Sequence, residues 1–305
     1  MSEEYKDLII GVVDGYNWDK IKYWANSIER SGFSGHKSVI AFNMDDATVK
    51  KLTEEGFSII GAAPYEDGKG FVYEGDPALM VNRFFFIYNF LKMIEESMHI
   101  GRVILTDVRD VVFQDNPTNW LDKYFLPNFD LILGSENLLY KDEPWGRNNM
   151  QKSFGEYFYD EMKDKEIFCA GVIAGDYGAI KDLCLNLWLI CKGLQPHIEG
   201  GGGPDQAALN IMLGMGIYSY STLFLNAKSG WVTHAGTSLP AIQNGSGGIG
   251  EAYLRDNSIP LPFIEDIAYS VKDGSVYVED EKLTVLHQWD RVPEWKTLIE
   301  QKYGD

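Results

Sequence analysis

The stretch RVILTDVRDVVFQDNP, residues 102–117, decides how the rest of the sequence is interpreted. Its apolar residues 103–105 predict a buried strand that runs directly into Asp107 and Asp110, and a second apolar patch, residues 111–113, follows at once. Carboxylates at the end of a buried strand are costly unless they are paired or bind a cation. In an α/β sheet that end is also where ligands bind. The stretch therefore predicts a divalent-metal site that holds a phosphorylated ligand.

The first half of the chain alternates strand and helix around this stretch. Short apolar runs predict strands at residues 8–13, 38–42, 57–62, 103–105 and 131–134. Helical spacing and capping residues predict helices at residues 18–28, 45–55 and 77–99, the last after a polar loop at 64–76. This alternation predicts an α/β fold with a mostly parallel central sheet and helices on both faces.

The second half of the chain is less regular. Strands are predicted at 167–174 and 283–286, helices at 178–192 and from Asp205, and a hairpin at 269–278 around Asp273-Gly274. Gly-rich loops at 200–203 and 244–250 are predicted to order over a bound ligand as lids. We expect one domain over 1–305, with an embellished C-terminal half.

Charge and cysteine content limit the partners and the compartment. The net charge of −18 disfavours nucleic acid and anionic lipid as partners, so an anionic substrate needs a metal or local cations. The three cysteines include no C-x-x-C pair, and Cys184 and Cys191 fit the core side of a helix. No signal pattern or apolar run of membrane-spanning length is visible. These features predict a cytoplasmic protein.

A histidine follows the last predicted strand and adds to the metal hypothesis. Asp107 and Asp110 can share one divalent ion, although a capped turn is the alternative interpretation. Imidazole suits Mn²⁺ better than Mg²⁺, so His287 as a third ligand favours manganese. A lone histidine is more often an ordinary core or surface residue, and His234 is a competing candidate for the same role.

Two further motifs carry weaker signals. In FCAGV, residues 168–172, the small side chains would let a ligand approach the backbone closely, although tight packing explains them equally well. In PDQAALN, residues 204–210, Asp205 stands at the start of a helix, where an N-cap is the simplest explanation.

The ordered set of four motifs resembles the GT-A glycosyltransferases, most closely the retaining, glycogenin-like type. Those enzymes carry an Asp-x-Asp strand end followed by Asn/Asp-Pro, then Phe-Asn-(Thr/Ala)-Gly-Val, Asp-Gln-x-x-Leu-Asn and a C-terminal His that binds Mn²⁺. The matching stretches here are 106–117, 168–172, 205–210 and His287, so the resemblance covers about residues 5–290.

The sequence departs from that pattern at three places. The acidic motif is Asp-Val-Arg-Asp: aligned on the apolar residues that follow, Asp110 takes the second Asp position and Val108 the first, which displaces Asp107 by one. Cys169 replaces the usual Asn. The Gly-x-x-Lys-Pro-Trp segment is absent, so contacts to the leaving phosphate are expected from Arg291 instead.

The resemblance implies a transfer of sugar from a nucleotide diphosphate, UDP favoured, to a carbohydrate or lipid-linked acceptor. It also implies that the single domain has a nucleotide-binding half at 1–135 and an acceptor-binding half at 136–305. It implies Mn²⁺ or Mg²⁺ held by Asp107, Asp110 and His287. Asp205 and Arg109 are expected to be catalytic. The residues expected to bind the nucleotide-sugar donor are Val13, Asp14, Tyr16, Arg83, Thr106, Asp107, Val108, Gly171, Gln206 and Arg291. Asp14 and Tyr16 are expected at the base, and aromatics in 137–145 and Trp231 at the acceptor.

Two other functions remain open from the sequence. A sugar-phosphate nucleotidyltransferase also pairs such a sheet with acidic metal ligands, but the segment after the first strand lacks the basic, Gly-rich phosphate loop of that class. A non-catalytic carbohydrate-binding protein on the same fold is the second, since the shifted acidic motif and Cys169 are compatible with lost turnover.

Overall fold

The computed structural model describes most of the chain, namely residues 5–61, 79–194, 203–216, 218–257, 261 and 266–305. Four sequence predictions fall wholly or partly outside them. These are the last residue of the strand predicted at 57–62, the polar loop at 64–76, the first residues of the helix predicted from 77, and the Gly-rich loop at 200–203, of which only Gly203 is described.

The described residues form thirteen strands and eleven α-helices. The strands are β1 Lys6–Asp14, β2 His36–Phe42, β3 Ser58–Gly61, β4 Ile100–Thr106, β5 Val111–Phe113, β6 Leu131–Leu139, β7 Glu166–Asp176, β8 Thr222–Leu225, β9 Val232–His234, β10 Tyr269–Lys272, β11 Ser275–Val278, β12 Glu281–Lys282 and β13 Val285–His287. The helices are α1 Trp18–Arg30, α2 Asp46–Glu54, α3 Leu79–Ile94, α4 Pro117–Tyr124, α5 Pro144–Phe154, α6 Glu156–Met162, α7 Tyr177–Cys191, α8 Asp205–Gly214, α9 Leu239–Gln243, α10 Gly247–Arg255 and α11 Pro293–Tyr303. Short 3₁₀ helices lie at Ala227–Ser229, Ala235–Thr237 and Trp289–Arg291.

Seven strands form the central sheet, in the order β3-β2-β1-β4-β7-β6-β8. Parallel pairs join β1 to β2 and β4, β2 to β3, and β6 to β8, whereas β7 runs antiparallel to β4 and β6. The prediction of a mostly parallel sheet is therefore confirmed. The proposed boundary between two halves at residue 135 falls within β6 and stays a prediction.

Side chains of the central sheet alternate between two apolar cores. On β1, Leu8 and Ile10 pack into the core with α3, α7 and α8, while Ile9 and Val13 pack into the other with Trp24 of α1. All five are at most 1% exposed, and each such burial stabilises the fold by about 1.5–3 kcal/mol. Helices therefore cover both faces of the sheet, as predicted.

The two helices that follow β1 and β2 each begin after a capping residue, and Asp45 is the cap that the sequence predicted. Asn17 accepts from the backbone N–H of Lys20 at the start of α1, and Asp45 accepts from the N–H of Thr48 at 2.9 Å at the start of α2. These caps satisfy donors that have no partner within the helix. Helix α7 begins and ends one residue earlier than the predicted region 178–192, and it carries Cys184 and Cys191 in the core.

The long helix α3 ends earlier than predicted. It stops at Ile94 instead of continuing to His99, because the Ile94 carbonyl accepts the N–H groups of Ser97 and Met98 and closes a turn. The carbonyl of His99 then accepts from the N–H of Lys6 at 3.0 Å, so this residue already belongs to the edge of the sheet.

The Gly-rich segment at 244–250 is not one loop, and that prediction is wrong. Helix α9 ends at Gln243 and α10 begins at Gly247. Glycines bring the two helices into contact: a Cβ on Gly250 would lie 2.5 Å from the carbonyl carbon of Gly245, whose φ of +80° suits glycine. Close packing, with Ile249 buried below, accounts for the glycines without a lid.

Two small sheets complete the C-terminal half. Strands β10, β11 and β12 are antiparallel, and β10 and β11 form the hairpin predicted around Asp273-Gly274, whose φ values are +49° and +67°. The other sheet has the order β5-β13-β9 and pairs His287 with both Val111 and His234. None of the described helices combines the length and apolar character needed to cross a membrane.

Candidate active site

The acidic residues and His287 meet where β4 leaves the central sheet. The loop after β4 carries Asp107 and Asp110, and β5 follows it and pairs with β13. Two backbone hydrogen bonds fix this loop: the Asp107 N–H donates to the Gly171 carbonyl at 2.7 Å, and the Gln288 N–H donates to the Asp110 carbonyl at 2.7 Å. The sheets therefore bring together residues about 180 positions apart in the sequence.

The geometry of these three side chains fits a divalent ion. Nε2 of His287 lies 3.5 Å from a carboxylate oxygen of Asp107 and 3.8 Å from one of Asp110, and one ligand atom of each residue lies within 4.8 Å of the others. Burial alone would lower the pKa of His287, but contacts with Cys169 and Asp107 raise it well above its ordinary value. The two carboxylates thus favour positive charge beside the imidazole, as they would favour a divalent cation there.

Gly171 of β7 makes room for this cluster. A Cβ at this position would lie 2.3 Å from Cε1 of His287 and 3.0 Å from Oδ2 of Asp107. The sequence predicted that a small residue here lets a ligand approach the backbone closely. In the structure, the side chains of His287 and Asp107 approach the backbone at this position. Contact of Gly171 with a donor stays a prediction.

Arg83 of α3 joins the acidic loop to Asp205 at the start of α8. Its guanidinium donates to the carboxylate of Asp107, to Oδ2 of Asp205 at 2.9 Å and to the carbonyl of Ala170 at 3.4 Å. Burial raises the pKa of Asp205 above its ordinary value, although the charge of Arg83 opposes this shift. Burial also opposes ionisation of Asp107, but Arg83 and His287 hold the pKa of Asp107 well below its ordinary value. The buried Arg83 Nε has no hydrogen-bond partner among the described residues.

Arg109 and Tyr16 lie on the outer side of the acidic loop. Arg109, whose side chain is 52% exposed, donates to Asp110 at 2.8 Å, a contact that raises the pKa of the guanidinium. Tyr16 is half-buried; burial raises its pKa, and the charge of Arg109 opposes that shift. Tyr16, which was predicted to contact the base, therefore lies within electrostatic reach of Asp107 and Asp110.

His234 lies behind His287 rather than in its place. The two Nδ1 atoms are 2.9 Å apart, and Nε2 of His234 lies 3.2 Å from the Gly134 carbonyl. Burial and the neighbouring His287 hold the pKa of His234 well below its ordinary value, so this imidazole is neutral. The competing candidate from the sequence is thus a neighbour of the Asp107, Asp110 and His287 side chains.

Sequence reasoning missed a buried acid beside the site. Glu136 of β6 accepts from Nε2 of Gln206 at 3.0 Å and contacts Cys169. Burial, reinforced by the charge of Glu143, raises the pKa of Glu136 to about 7. A charged residue within the apolar strand LILGSENLL was the available signal.

Glu143 was missed as well. Its carboxylate caps α5 by accepting from the N–H groups of Trp145, at 3.1 Å, and Gly146. Burial raises its pKa, and these backbone donors oppose the shift. The residue before Pro144 at a helix start was the sequence signal for this cap.

The Asp-Gln-x-x-x-Asn motif of α8 docks this helix onto β7. Asn210 accepts from the Phe168 N–H at 2.8 Å and donates to its carbonyl at 2.7 Å. Gln206 accepts from the Ala170 N–H at 3.4 Å. These bonds hold Asp205 against Arg83; no side-chain hydrogen bond from Asp205 caps the helix, so the N-cap interpretation is wrong.

The remaining predicted donor residues differ in how accessible they are. The side chains of Val13 and Val108 are at most 3% exposed and lie in the core below α1. Thr106 accepts from the indole N–H of Trp24 at 2.9 Å. Asp14 is exposed and accepts from Asn43 at 2.7 Å. The donor contacts assigned to these four residues stay predictions.

Arg291 was predicted to contact the leaving phosphate, and Trp231 was predicted to contact the acceptor. The side chain of Arg291 is 47% exposed and lies 3.7 Å from Asp290, so its contact with a leaving phosphate also stays a prediction. Trp231 is fully buried against Trp120, with ring centroids 4.8 Å apart. Because no face of Trp231 is accessible, the prediction that it stacks on an acceptor sugar is wrong.

A mostly parallel sheet with one reversed strand, and an acidic loop facing a histidine beside that strand, give this chain the GT-A fold. Solved glycosyltransferases are similar to this chain. The apo structure of the bifunctional glycosyltransferase WbbM is 12% identical, with a TM-score of 0.51, and the match covers 99% of this chain and 50% of that one. This chain therefore spans about half the length of the WbbM chain it matches.

Two structures of LgtC match with lower TM-scores. The galactosyltransferase LgtC in complex with donor and acceptor sugar analogues is 15% identical, with a TM-score of 0.47, over 96% of this chain and 95% of that one. An active-site mutant of LgtC is 14% identical, with a TM-score of 0.48 and the same coverage. No family model and no curated protein matches the sequence.

Proposed function

We propose that this protein is a metal-dependent glycosyltransferase that moves a sugar from a nucleotide diphosphate to the hydroxyl of a carbohydrate or lipid-linked acceptor. The observation that carries the proposal is the meeting of Asp107, Asp110 and His287, with ligand atoms within 4.8 Å, beside the Arg83–Asp205 ion pair. Oxygen ligands plus one imidazole favour Mn²⁺ over Mg²⁺. The metal would supply Lewis-acid stabilisation of the charge that grows on the leaving diphosphate.

The cations around the acidic loop suit the same diphosphate. Arg109 is half-exposed beside Asp110 and can turn a donor N–H toward a phosphate oxygen. The unpaired Nε–H of Arg83 is a second donor, already held in place by Asp107 and Asp205. A charge-assisted contact formed as the leaving group departs would lower the barrier to transfer.

Asp205 is the acidic side chain best placed to act on the sugar. It is 5% exposed and contacts Nη2 of Arg83 at 2.9 Å, whereas Asp107 of the metal cluster contacts Nη1 of the same guanidinium. From there it would bind sugar hydroxyls or stabilise the cationic transition state. The proposed transfer retains the configuration of the sugar's anomeric carbon. The proposed nucleotide of the donor is UDP, whose base would lie against Asp14 and Tyr16.

The acceptor is expected beside β7 and α8. A cavity of about 510 Å³ lies there, lined in part by Phe168, Asn210 and Phe224, and Phe224 is 39% exposed. Exposed aromatic faces are suited to packing against sugar rings. A cytoplasmic location for the reaction completes the proposal.

The test measures release of nucleoside diphosphate from a panel of nucleotide sugars, with Mn²⁺ and with EDTA. We expect metal-dependent release from one donor and its loss in Asp110→Asn. Asp280→Asn is the matched control, because that carboxylate is fully exposed on the hairpin sheet. Pyrophosphate formation from a nucleoside triphosphate and a sugar phosphate would contradict the proposal in favour of nucleotidyl transfer. No turnover of any donor by folded, metal-loaded protein, with acceptors supplied, would favour carbohydrate binding without catalysis.

A further inference from the structure

A second cluster of metal-binding side chains lies on the other side of the His287 ring from the carboxylates. Sγ of Cys169 is 3.5 Å from Nδ1 of His287, and Nδ1 of His234 is 2.9 Å from the same atom. The three ligand atoms all lie within 4.8 Å of one another, and each residue is at most 3% exposed. The metal cluster of the proposed function uses Nε2 of His287 and leaves this second cluster unexplained.

These separations are close to those of a tetrahedral zinc site. Bond lengths of about 2.3 Å to sulfur and about 2.0 Å to nitrogen place a sulfur and a nitrogen ligand about 3.5 Å apart, and two nitrogens about 3.3 Å apart. The observed Cys169 to His287 distance equals the first value within rounding, and the two imidazoles need to separate by only a few tenths of an ångström.

The outer nitrogen of each imidazole also has the partner that metal-bound histidines use. Nε2 of His234 faces the Gly134 carbonyl at 3.2 Å, which keeps the proton there and directs the Nδ1 lone pair at the cluster. Nε2 of His287 faces a carboxylate oxygen of Asp107 at 3.5 Å. A carboxylate or carbonyl behind the histidine raises its basicity and fixes the orientation of the ring.

We propose that Cys169, His234 and His287 form a second metal site, specific for a thiophilic ion of the Zn²⁺ type. Cys169 binds as the thiolate and gives its proton to solvent, while both imidazoles bind through Nδ1. Thiolate and imidazole ligands select zinc over manganese, which prefers carboxylates.

The two metal sites compete, because they share one imidazole. A neutral His287 has a single lone pair, on Nδ1 or on Nε2, so it can bind zinc beside Cys169 or manganese beside Asp110, but not both. Zinc at the thiolate site therefore removes a ligand from the manganese site. This consequence, inhibition by zinc, rests on the proposed function; the zinc site itself does not.

Cobalt binding to the whole, metal-free protein tests the site directly. We expect one equivalent of Co²⁺ to produce the near-ultraviolet sulfur-to-cobalt charge-transfer band and the intense visible bands of a four-coordinate ion, and Zn²⁺ to bleach both. Cys169→Ser should lose the charge-transfer band, and His234→Gln should weaken Zn²⁺ binding at least tenfold. Cys191→Ala is the matched control, since this free, buried thiol lies in the core on α7.

Absence of the charge-transfer band in the wild type, or its persistence in Cys169→Ser with loss in Cys191→Ala, would overturn the proposal. Circular dichroism of each variant separates lost ligation from lost folding, and Cys169→Ala repeats the test without a hydroxyl. Inhibition of Mn²⁺-supported turnover by stoichiometric Zn²⁺, relieved in Cys169→Ser, tests the competition. A protein that gives the cobalt spectrum but turns over no donor would refute the proposed function while leaving the zinc site intact.

Discussion

Gly171 and His287 lie so close together that a Cβ on the glycine would come within 2.3 Å of Cε1 of the imidazole. The ring is buried on all other sides by β13, β9 and the acidic loop, so it has little room to move. We expect Gly171→Ala to displace His287 and to raise the dissociation constant for Mn²⁺ at least tenfold. Overpacking should also lower the free energy of unfolding by about 1–3 kcal/mol. Electron paramagnetic resonance of free Mn²⁺ and urea denaturation measure the two effects.

Gly178→Ala is the matched control for this substitution. Gly178 is in the first turn of α7, and a Cβ there would meet nothing within 4 Å. Alanine should leave Mn²⁺ binding unchanged and stabilise the helix by about 0.5–1 kcal/mol. Unchanged manganese affinity in Gly171→Ala would show that the metal does not depend on the position of His287.

Removing the charge of Arg83 should destabilise the fold strongly. In Arg83→Met the carboxylates of Asp107 and Asp205 lose the cation between them, and Asp205 is 5% exposed. Breaking a buried ion pair by removing one partner costs about 3–5 kcal/mol, since the other charge remains uncompensated. Urea denaturation should show a loss of this size.

An exposed ion pair provides the comparison for that experiment. Lys163 and Asp160, 2.9 Å apart on one face of α6 and the turn after it, are both about half-exposed. Lys163→Met should change the free energy of unfolding by less than about 1 kcal/mol, as is usual for surface pairs. Equal losses in the two variants would mean that Arg83 contributes no more than an ordinary surface contact.

Local sequence patterns predicted most of the fold because they encode local structure. The Asp273-Gly274 hairpin forms with Val271 opposite Val276, since both turn residues adopt the positive φ that their side chains tolerate. The segment at 244–250 was misjudged for a related reason. Glycine indicates a loop locally, whereas the contact of Gly250 with Gly245 depends on how two helices meet.

Nonlocal pairing limited what the sequence could predict about the site. Asp107, Asp110 and His287 were identified because each follows an apolar strand. The juxtaposition of His234 and His287 depends on the parallel pairing of β9 with β13 across 53 residues, which no local pattern encodes. Glu136 was missed because its burial depends on strands that pair on both sides of β6.

The two acids of the metal cluster should differ in their importance for metal binding. Asp107 already shares its charge with the buried Arg83, whereas Asp110 is paired with the half-exposed Arg109, which can turn into solvent. We expect Asp110→Asn to weaken Mn²⁺ binding more than Asp107→Asn, and both at least tenfold. Paramagnetic relaxation of water protons measures the binding without turnover. Asp280→Asn should match the wild type, and a smaller loss in Asp110→Asn than in Asp107→Asn would reverse the assignment.

Stability of the metal-free protein should fall with rising pH because of Glu136. Burial raises the pKa of this carboxyl from 4.5 to about 7, so the unfolded state releases its proton at lower pH than the folded state does. Below the unfolded pKa the carboxyl is protonated in both states. Between the two values the folded state binds more protons, so stability decreases with pH, by about 3 kcal/mol in total once the pH exceeds the folded value.

Glu136→Gln isolates this contribution, because an amide keeps the shape of the side chain and does not ionise. Urea denaturation in EDTA, at several pH values from about 5 to about 8, should show the variant gaining on the wild type by about 3 kcal/mol as the pH rises. Glu161→Gln, an exposed position on α6, should follow the wild-type profile throughout. A constant difference between Glu136→Gln and wild type across this range would show that Glu136 is ionised in the folded protein, and that a charge-stabilising contact outweighs its burial.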